Sequence, residues 1–347
     1  MITIEKEYIN SLSNLKFIDL FAGIGGLRLG MESFGAKCMF SSEIDSYAIK
    51  TYSSNFNDTP HGDITQIMVK DIPEHDMLLG GFPCQSFSIS GLQKGFEDAR
   101  GTLFFDVARI IKHRRPRVVL LENVNNLEKH DDGRTLNVIV NSLENLGYSV
   151  FYKVLNASHF GVPQSRKRIY IACFRNDLYP NFNFEFPKPT MENIKVRDIS
   201  LNDEDVQQYI IKRNDIIIKE NYNQSYGSDY KNYKPIRIGT ISKGGQGERI
   251  YDPNGHAITL SAYGGGVAAK TGAYLVNNVV RKLAPRECAR LMGFPDSYKI
   301  VVPNSQALKQ FGNSVVVNII QLITKAMIDQ NVFAYKISHE EVASDRI

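Results

Sequence analysis

Three features of this 347-residue chain could do chemistry. The first is Cys84, inside the run Gly-Gly-Phe-Pro-Cys-Gln-Ser-Phe-Ser-Ile-Ser-Gly from Gly80 to Gly91. The apolar residues Met77, Leu78 and Leu79 read as a buried strand leading into it, and Pro83 and Gly91 forbid a helix through it. Cys84 is thus expected in a loop at a strand end, where open α/β sheets place ligands, and is a candidate nucleophile. The competing reading is a small apolar residue packed under a turn. The second feature is Glu122, delivered to the same sheet edge by the buried run Val118 to Leu121; it is either an ion-pair partner or a site residue. The third is the turn Ala-Gly-Ile-Gly-Gly from Ala22 to Gly26, followed about twenty residues on by Glu43. Glycines there let backbone approach a ligand, and an acidic residue at that distance suits a ribose hydroxyl.

The elements that must position these residues follow a βαβ rhythm. Leu15 to Phe21 reads as a strand, Leu27, Leu29, Met31 and Phe34 as a helix face, and Lys37 to Phe40 as a second strand. Strands are expected at Tyr148 to Asn156 and Arg168 to Phe174, joined by Gly161 to Lys167. Together these predict an α/β fold with a doubly wound, mostly parallel sheet. From about Pro187 the rhythm stops, and glycine loops at Gly244 to Gly247 and Gly264 to Gly266 suggest a smaller, irregular domain of loops and short strands. Gln310 to about Ile328 reads as one long apolar helix. The expected division is residues 1–195 plus 313–347 as the larger domain, 196–284 as the smaller, and 285–312 as a connecting segment.

Composition narrows the class. With 43% hydrophobic and 22% charged residues the chain is ordinary for a globular protein. The sequence reading expects neither a leader nor a membrane span, hence a cytoplasmic protein. The four cysteines form no C-x-x-C pair, so neither a disulfide framework nor a metal site is expected. Net charge is only +4, but residues 231–290 hold ten Lys/Arg against three Asp/Glu. That excess is either a footprint for a phosphate backbone or a solvated basic face.

Six ordered motifs carry a resemblance to the cytosine-C5 DNA methyltransferases of bacterial restriction-modification systems. They are Phe-Ala-Gly-Ile-Gly-Gly (21–26), Pro-Cys-Gln (83–85), Glu-Asn-Val (122–124), Gln-Ser-Arg-Lys-Arg (164–168), the Arg281–Pro295 block and Gln-Phe-Gly-Asn-Ser-Val (310–315). The resemblance spans nearly the whole chain. It implies the class I S-adenosylmethionine-dependent methyltransferase fold with a target-recognition domain, and S-adenosyl-L-methionine as cofactor, leaving S-adenosyl-L-homocysteine. It assigns Cys84 as covalent nucleophile on cytosine C6, Glu122 as proton donor to N3, and Arg168, with Arg166 close by, as the group holding the base carbonyl and the carboxylate. Cofactor contacts fall to Phe21, Gly23, Gly25, Gly26, Glu43, Ile44, Asp63, Ile64, Pro83, Leu103, Asn313 and Val315. The position after Glu43, aromatic in close relatives, is here Ile44, and the chain has no Trp.

Because the target carbon lies inside a duplex, the nucleotide has to be flipped out. Gln246 is expected to fill the vacancy, Ser90 to approach from the other groove, and Arg100, Arg249 and Tyr263 to touch bases or phosphates; each could equally be a surface loop residue. The loops 244–249 and 260–266 resemble those of GCGC-specific members, which makes GCGC the expected target. The implied partners are double-stranded DNA and a restriction endonuclease sharing the site, with the enzyme itself a monomer in the bacterial cytoplasm. The alternatives are a tRNA cytosine-C5 methyltransferase, which shares Pro-Cys and Glu-Asn-Val, and a non-catalytic DNA-binding relative.

Overall fold

A computed structural model describes residues 2–83, 103–220, 222 and 233–334. Cys84, Ser90 and Arg100 lie outside the described residues.

The larger unit is built on β1 (Lys16–Leu20), α1 (Gly26–Glu32), β2 (Lys37–Ser42), α2 (Ser46–Phe56), β3 (Met77–Gly80), α3 (Leu103–Arg114), β4 (Val118–Val124), α4 (Arg134–Asn145), β5 (Tyr148–Asn156) and β6 (Lys167–Arg175). Its six strands run in the order β2-β1-β3-β4-β6-β5. Strands β1 to β4 pair parallel, whereas β6 runs antiparallel to both β4 and β5. The short connection between β5 and β6 explains that exception, because a parallel crossover needs a dozen or more residues.

Both sheet faces are buried, and the strands show it by alternation. On β4, Val118 and Leu120 enter one core while Val119 and Leu121 enter the other. The first core is covered by α1 and, from the chain's far end, by α7 (Val317–Asp329), through Leu27, Met31, Ile319, Ile320 and Ile323. The second is covered by α3 and α4, through Phe104, Val107, Ile110, Ile139 and Leu143. Burying aliphatic side chains of this size contributes roughly 1.5–3 kcal/mol each.

The smaller unit is more regular than its sequence suggested. Strands β7 (Ile216–Ile218), β8 (Arg237–Ile241), β9 (Arg249–Tyr251), β10 (Ala273–Val276) and β11 (Val279–Lys282) form one sheet, β11-β10-β9-β8-β7. Its strands are only three to five residues long, too short for alternation to stand out among the glycine loops. Ile238, Ile241, Ile250 and Val280 make a core of their own, while Tyr251, Leu260 and Tyr274 join the larger one.

The single helix expected over 310–328 is two helices. α6 (Asn304–Asn313) stops, Ser314 and Val316 are extended, and α7 begins at Val317. Taken end to end, the two have the length and hydropathy of a membrane span, which the sequence reading did not anticipate; most of that stretch is buried within the protein. α5 (Pro285–Leu291) opens with proline at its first position, and Cys288, Leu291, Phe294 and Phe311 from segment 285–312 all pack in the larger core.

Candidate active site

The carboxyl ends of β1 to β4 open onto a cavity of about 550 Å³, a size suited to a nucleoside cofactor or a base. One wall is the turn after β1. Phe21 adopts a left-handed φ of 57° and Gly23 one of 55°. A Cβ on Gly23 would meet nothing within 4 Å, so its backbone faces open space. Gly25 is placed differently from the sequence expectation. It does not line the cavity; a side chain there would run into Phe56, so Gly25 shapes the turn from behind.

Glu43, at the end of β2, fixes this wall. Its Oε2 accepts from Gly23 N at 2.8 Å, and its Oε1 accepts from the backbone of Ile44 and Asp45, each at 2.8 Å. A carboxylate offers about four lone-pair sites, so Oε2 retains capacity for one more donor, such as a ribose hydroxyl. Ile44 is 72% exposed at the rim. Asp63, Ile64, Pro83, Leu103, Asn313 and Val315 line the same cavity. Sequence reading missed Lys309, which lines it too and pairs with Asp45 at 2.8 Å. Lys309 sits just before the Gln-Phe-Gly-Asn-Ser-Val run, one residue outside the motif.

The other wall follows from strand register. Glu122 is paired with Tyr170, and Val124 with Arg168, across β4 and β6. Glu122 and Arg168 therefore share a face as diagonal neighbours. Arg168 Nε lies 3.2 Å from Glu122 Oε1, with both side chains largely buried. Burial raises the Glu122 carboxyl above its ordinary range, against the lowering effect of Arg168 and then Arg166. The result is a carboxyl group inclined to hold a proton beside a fixed cation. Next to it, Asn123 donates to the Phe82 carbonyl at 2.8 Å and accepts from Val124 N, tying the end of β4 to the segment entering Cys84. The Glu-Asn-Val run contained that signal, but the sequence analysis gave Asn123 no role.

Arg166 lines the same cavity as Arg168, but its hydrogen bonds go to backbone. The residue is 2% exposed, and its guanidinium donates to the carbonyls of Leu260, Gly312 and Ser314. It holds backbone. Gln164 works beside it, donating to Leu291 O and accepting from Leu260 N.

Of the expected DNA-contacting residues, Gln246, Arg249 and Tyr263 lie on or beside two loops packed together. A side chain on Gly247 would collide with Gly265 O, and Ala268 N donates to Gly247 O at 2.9 Å. Gln246 is exposed on one loop and Tyr263, 68% exposed, on the other, where it also reaches the cavity mouth. Arg249 is half-buried at the start of β9, with Nε unpartnered. The basic excess of 231–290 is only partly a surface. Arg281 is buried in a bidentate pair with Glu287, Arg286 donates to the Pro295 and Tyr298 carbonyls, and Arg290 pairs with Asp296.

With this geometry in place, the comparisons decide the family. The C-5 cytosine-specific DNA methylase model matches residues 15–329. The chain belongs to that family. It is 57% identical to the type II methyltransferase M.HhaI of Haemophilus parahaemolyticus over 90% of this chain and 94% of that one. It is 44% identical to M.HaeII of Haemophilus aegyptius over 92% of this chain and 94% of that one. Among solved structures, Schizosaccharomyces pombe Dnmt2 superposes with a TM-score of 0.68 at 21% identity, covering 91% of this chain and 99% of the other; that likeness speaks to fold alone. The chain is an S-adenosylmethionine-dependent cytosine-C5 DNA methyltransferase of the type II restriction-modification class. The residues present fit that cofactor: an open glycine backbone, a spare acceptor on Glu43 and an adequate cavity coincide.

Proposed function

We propose that this methyltransferase acts on a cytosine flipped out of duplex DNA, through a covalent adduct between Cys84 and C6. Cytosine C5 is a weak nucleophile until something adds to C6. A thiolate does so well, and the developing negative charge is relieved if N3 receives a proton. Glu122 is the donor, its carboxyl inclined by burial to hold a proton, and Arg168 orients Glu122 and binds the base carbonyl. S-adenosylmethionine supplies an electrophilic methyl group on a sulfonium. It would be held by Phe21, Gly23, Gly26, Glu43, Ile44, Asp63, Ile64, Pro83, Leu103, Asn313 and Val315. Loss of the C5 proton, to water or to a side chain, then frees Cys84 and restores the ring. The observation that carries this reading is the buried Glu122–Arg168 pair on one wall of the cavity that Glu43 and the glycine turn close on the other.

On this reading residues 196–284 form the recognition domain, joined through 285–312 to a catalytic domain of 1–195 plus 313–347. Gln246 occupies the place of the flipped base, and Ser90, Arg100, Arg249 and Tyr263 contact the duplex. GCGC is the target, by resemblance of the two glycine loops, and a restriction endonuclease reading the same site is the natural partner of a monomeric, cytoplasmic enzyme. The test is bisulfite sequencing of a plasmid from cells that lack other cytosine-C5 methylation and express this protein. Protection confined to the first cytosine of GCGC is expected. Protection in another short sequence removes the target assignment, and none at all, despite folded protein, removes the DNA reaction.

A further inference from the structure

Gln310, on α6 one turn before Asn313, lines the cofactor cavity and is 7% exposed. Its Oε1 accepts from Thr51 Oγ1 on α2 at 3.1 Å. That bond sets the amide: with the oxygen turned to Thr51, the planar group presents Nε2 away from it. Nε2 is buried and has no hydrogen-bond partner among the described residues. A buried N–H without an acceptor is costly, so such a group in a cavity wall marks where an acceptor arrives with the ligand.

The wall that carries Gln310 is built in advance. α2 is tied to the segment 299–310 by Lys309 Nζ on Asp45 Oδ2 at 2.8 Å, by the Thr51–Gln310 bond, and by two bonds between Asn55 and Lys299, of 2.7 and 3.0 Å. Just past α6, Ser314 and Val315 pack on the glycine turn: a Cβ on Gly26 would lie 2.9 Å from Ser314 Oγ and 2.8 Å from Val315 Cγ2.

The cavity also separates donors from acceptors. Glu43 and Asp63, at one side of the lining, offer carboxylates, which suit ligand hydroxyls and amines and repel an anion. Three of the cations in the lining are already engaged: Lys309 by Asp45, Arg168 by Glu122 and Arg166 by backbone carbonyls. On α6, Gln310 and Asn313 stand three residues apart on one helix face and both line the cavity, which places two side-chain amides together there.

We propose that Gln310 Nε2 donates to the carboxylate at the methionine end of S-adenosylmethionine, and so selects a cofactor that carries an α-amino acid; this rests on the cofactor lying in this cavity with its ribose at Glu43. The carboxylate is the ligand's only anionic group, and charge on the acceptor strengthens the bond.

Calorimetry on the full chain with two probes tests the contact. They are S-adenosylhomocysteine and its decarboxylated analogue, which keeps the nucleoside, thioether and amine. The unaltered protein should bind the analogue about 10- to 100-fold more weakly, the worth of a hydrogen bond to a charged group. Equal affinities would overturn the proposal without any variant. In Q310M, which keeps the length of the side chain, affinity for S-adenosylhomocysteine should fall about tenfold or more while that for the analogue stays within about threefold. In Q310E the Thr51 hydroxyl keeps its acceptor and the donor becomes an anion, so the preference for the carboxylate should fall further; a preference kept there overturns the contact. Equal losses for both probes in Q310M would make Gln310 part of the wall and no more, and no loss for either would leave Nε2 to water; each result overturns the proposal. E43A should weaken both probes alike, because both carry the ribose. If it weakens neither, the reading of the cavity as the cofactor site falls, and the contact with it.

Discussion

Replacing Glu122 with Gln separates the proton from the shape. The side chain sits on β4 with 8% exposure, and its Oε1 is 3.2 Å from Arg168 Nε. Gln fills the same volume and still offers an oxygen to Arg168, so the pocket wall should survive. What is lost is a carboxyl proton that burial keeps in place at a pH where an exposed glutamate has given it up. A positioned general acid is worth about 10² to 10⁴ in rate, or roughly 3–5 kcal/mol of barrier. E122Q should lose that much in kcat for methyl transfer to a target duplex, while its affinities for duplex and S-adenosylhomocysteine stay within about threefold. The pH profile carries the sign. The protonated carboxyl is the active form and its pKa is raised, so kcat/KM of the unaltered enzyme should fall as pH rises through that value, and this falling limb should be missing in E122Q. Transfer of radiolabelled methyl groups under steady-state conditions measures both. A kcat within tenfold of the unaltered enzyme, or an unchanged falling limb, would refute the assignment of Glu122 as proton donor.

Glu287 is fully buried and accepts from Arg281 Nη1 and Nη2, Ala284 N and Leu201 N. E287A strands the Arg281 charge and should cost about 3–5 kcal/mol in urea unfolding; a loss below about 1 kcal/mol would contradict that account. Asp19 is fully buried on β1, and burial pushes its pKa up to about 8 against the lowering effect of Arg28. Because the folded form keeps the proton longer than the unfolded one, stability should decline between about pH 4 and pH 8, at up to about 1.4 kcal/mol per pH unit from this group. D19N should flatten that decline in thermal melts, and an unaltered slope would exclude Asp19 as its source. Ile44 leaves an exposed aliphatic rim where a ring could stack. I44W should therefore tighten S-adenosylhomocysteine binding by about 2–10-fold in calorimetry, the worth of an aromatic contact, and weaker binding would show that no adenine lies there.

Much of the larger unit was legible because its strands are buried on both faces. Val118 to Leu121 and Met77 to Leu79 are unbroken apolar runs with turn residues at their ends, and such runs leave few alternatives. The antiparallel course of β6 was not legible, because direction is set by the length of the 157–166 connection and not by the pattern of Arg168 to Phe174. The break at Ser314 was hidden for a related reason: Val315 and Val316 suit a buried helix and an extended turn equally, and only packing on Gly26 decides. Arg166 and Arg168 lie two residues apart in one motif and look interchangeable in sequence. Register places Arg168 diagonally across from Glu122 on the same sheet face, while the partners of Arg166 come from positions 260, 312 and 314, far along the chain. Lys309 escaped notice because its value lies in Asp45, 264 residues away.

The central claim is chemical, and a duplex in which the target cytosine carries fluorine at C5 tests it most directly. Attack at C6 and methyl transfer can proceed on that base, but with no C5 proton to remove, the thiol cannot leave. Incubation with S-adenosylmethionine should give a complex that survives denaturing electrophoresis, and peptide mapping should place the DNA on Cys84. No stable complex from a preparation that methylates ordinary duplex, or an adduct on any other residue, would contradict the mechanism.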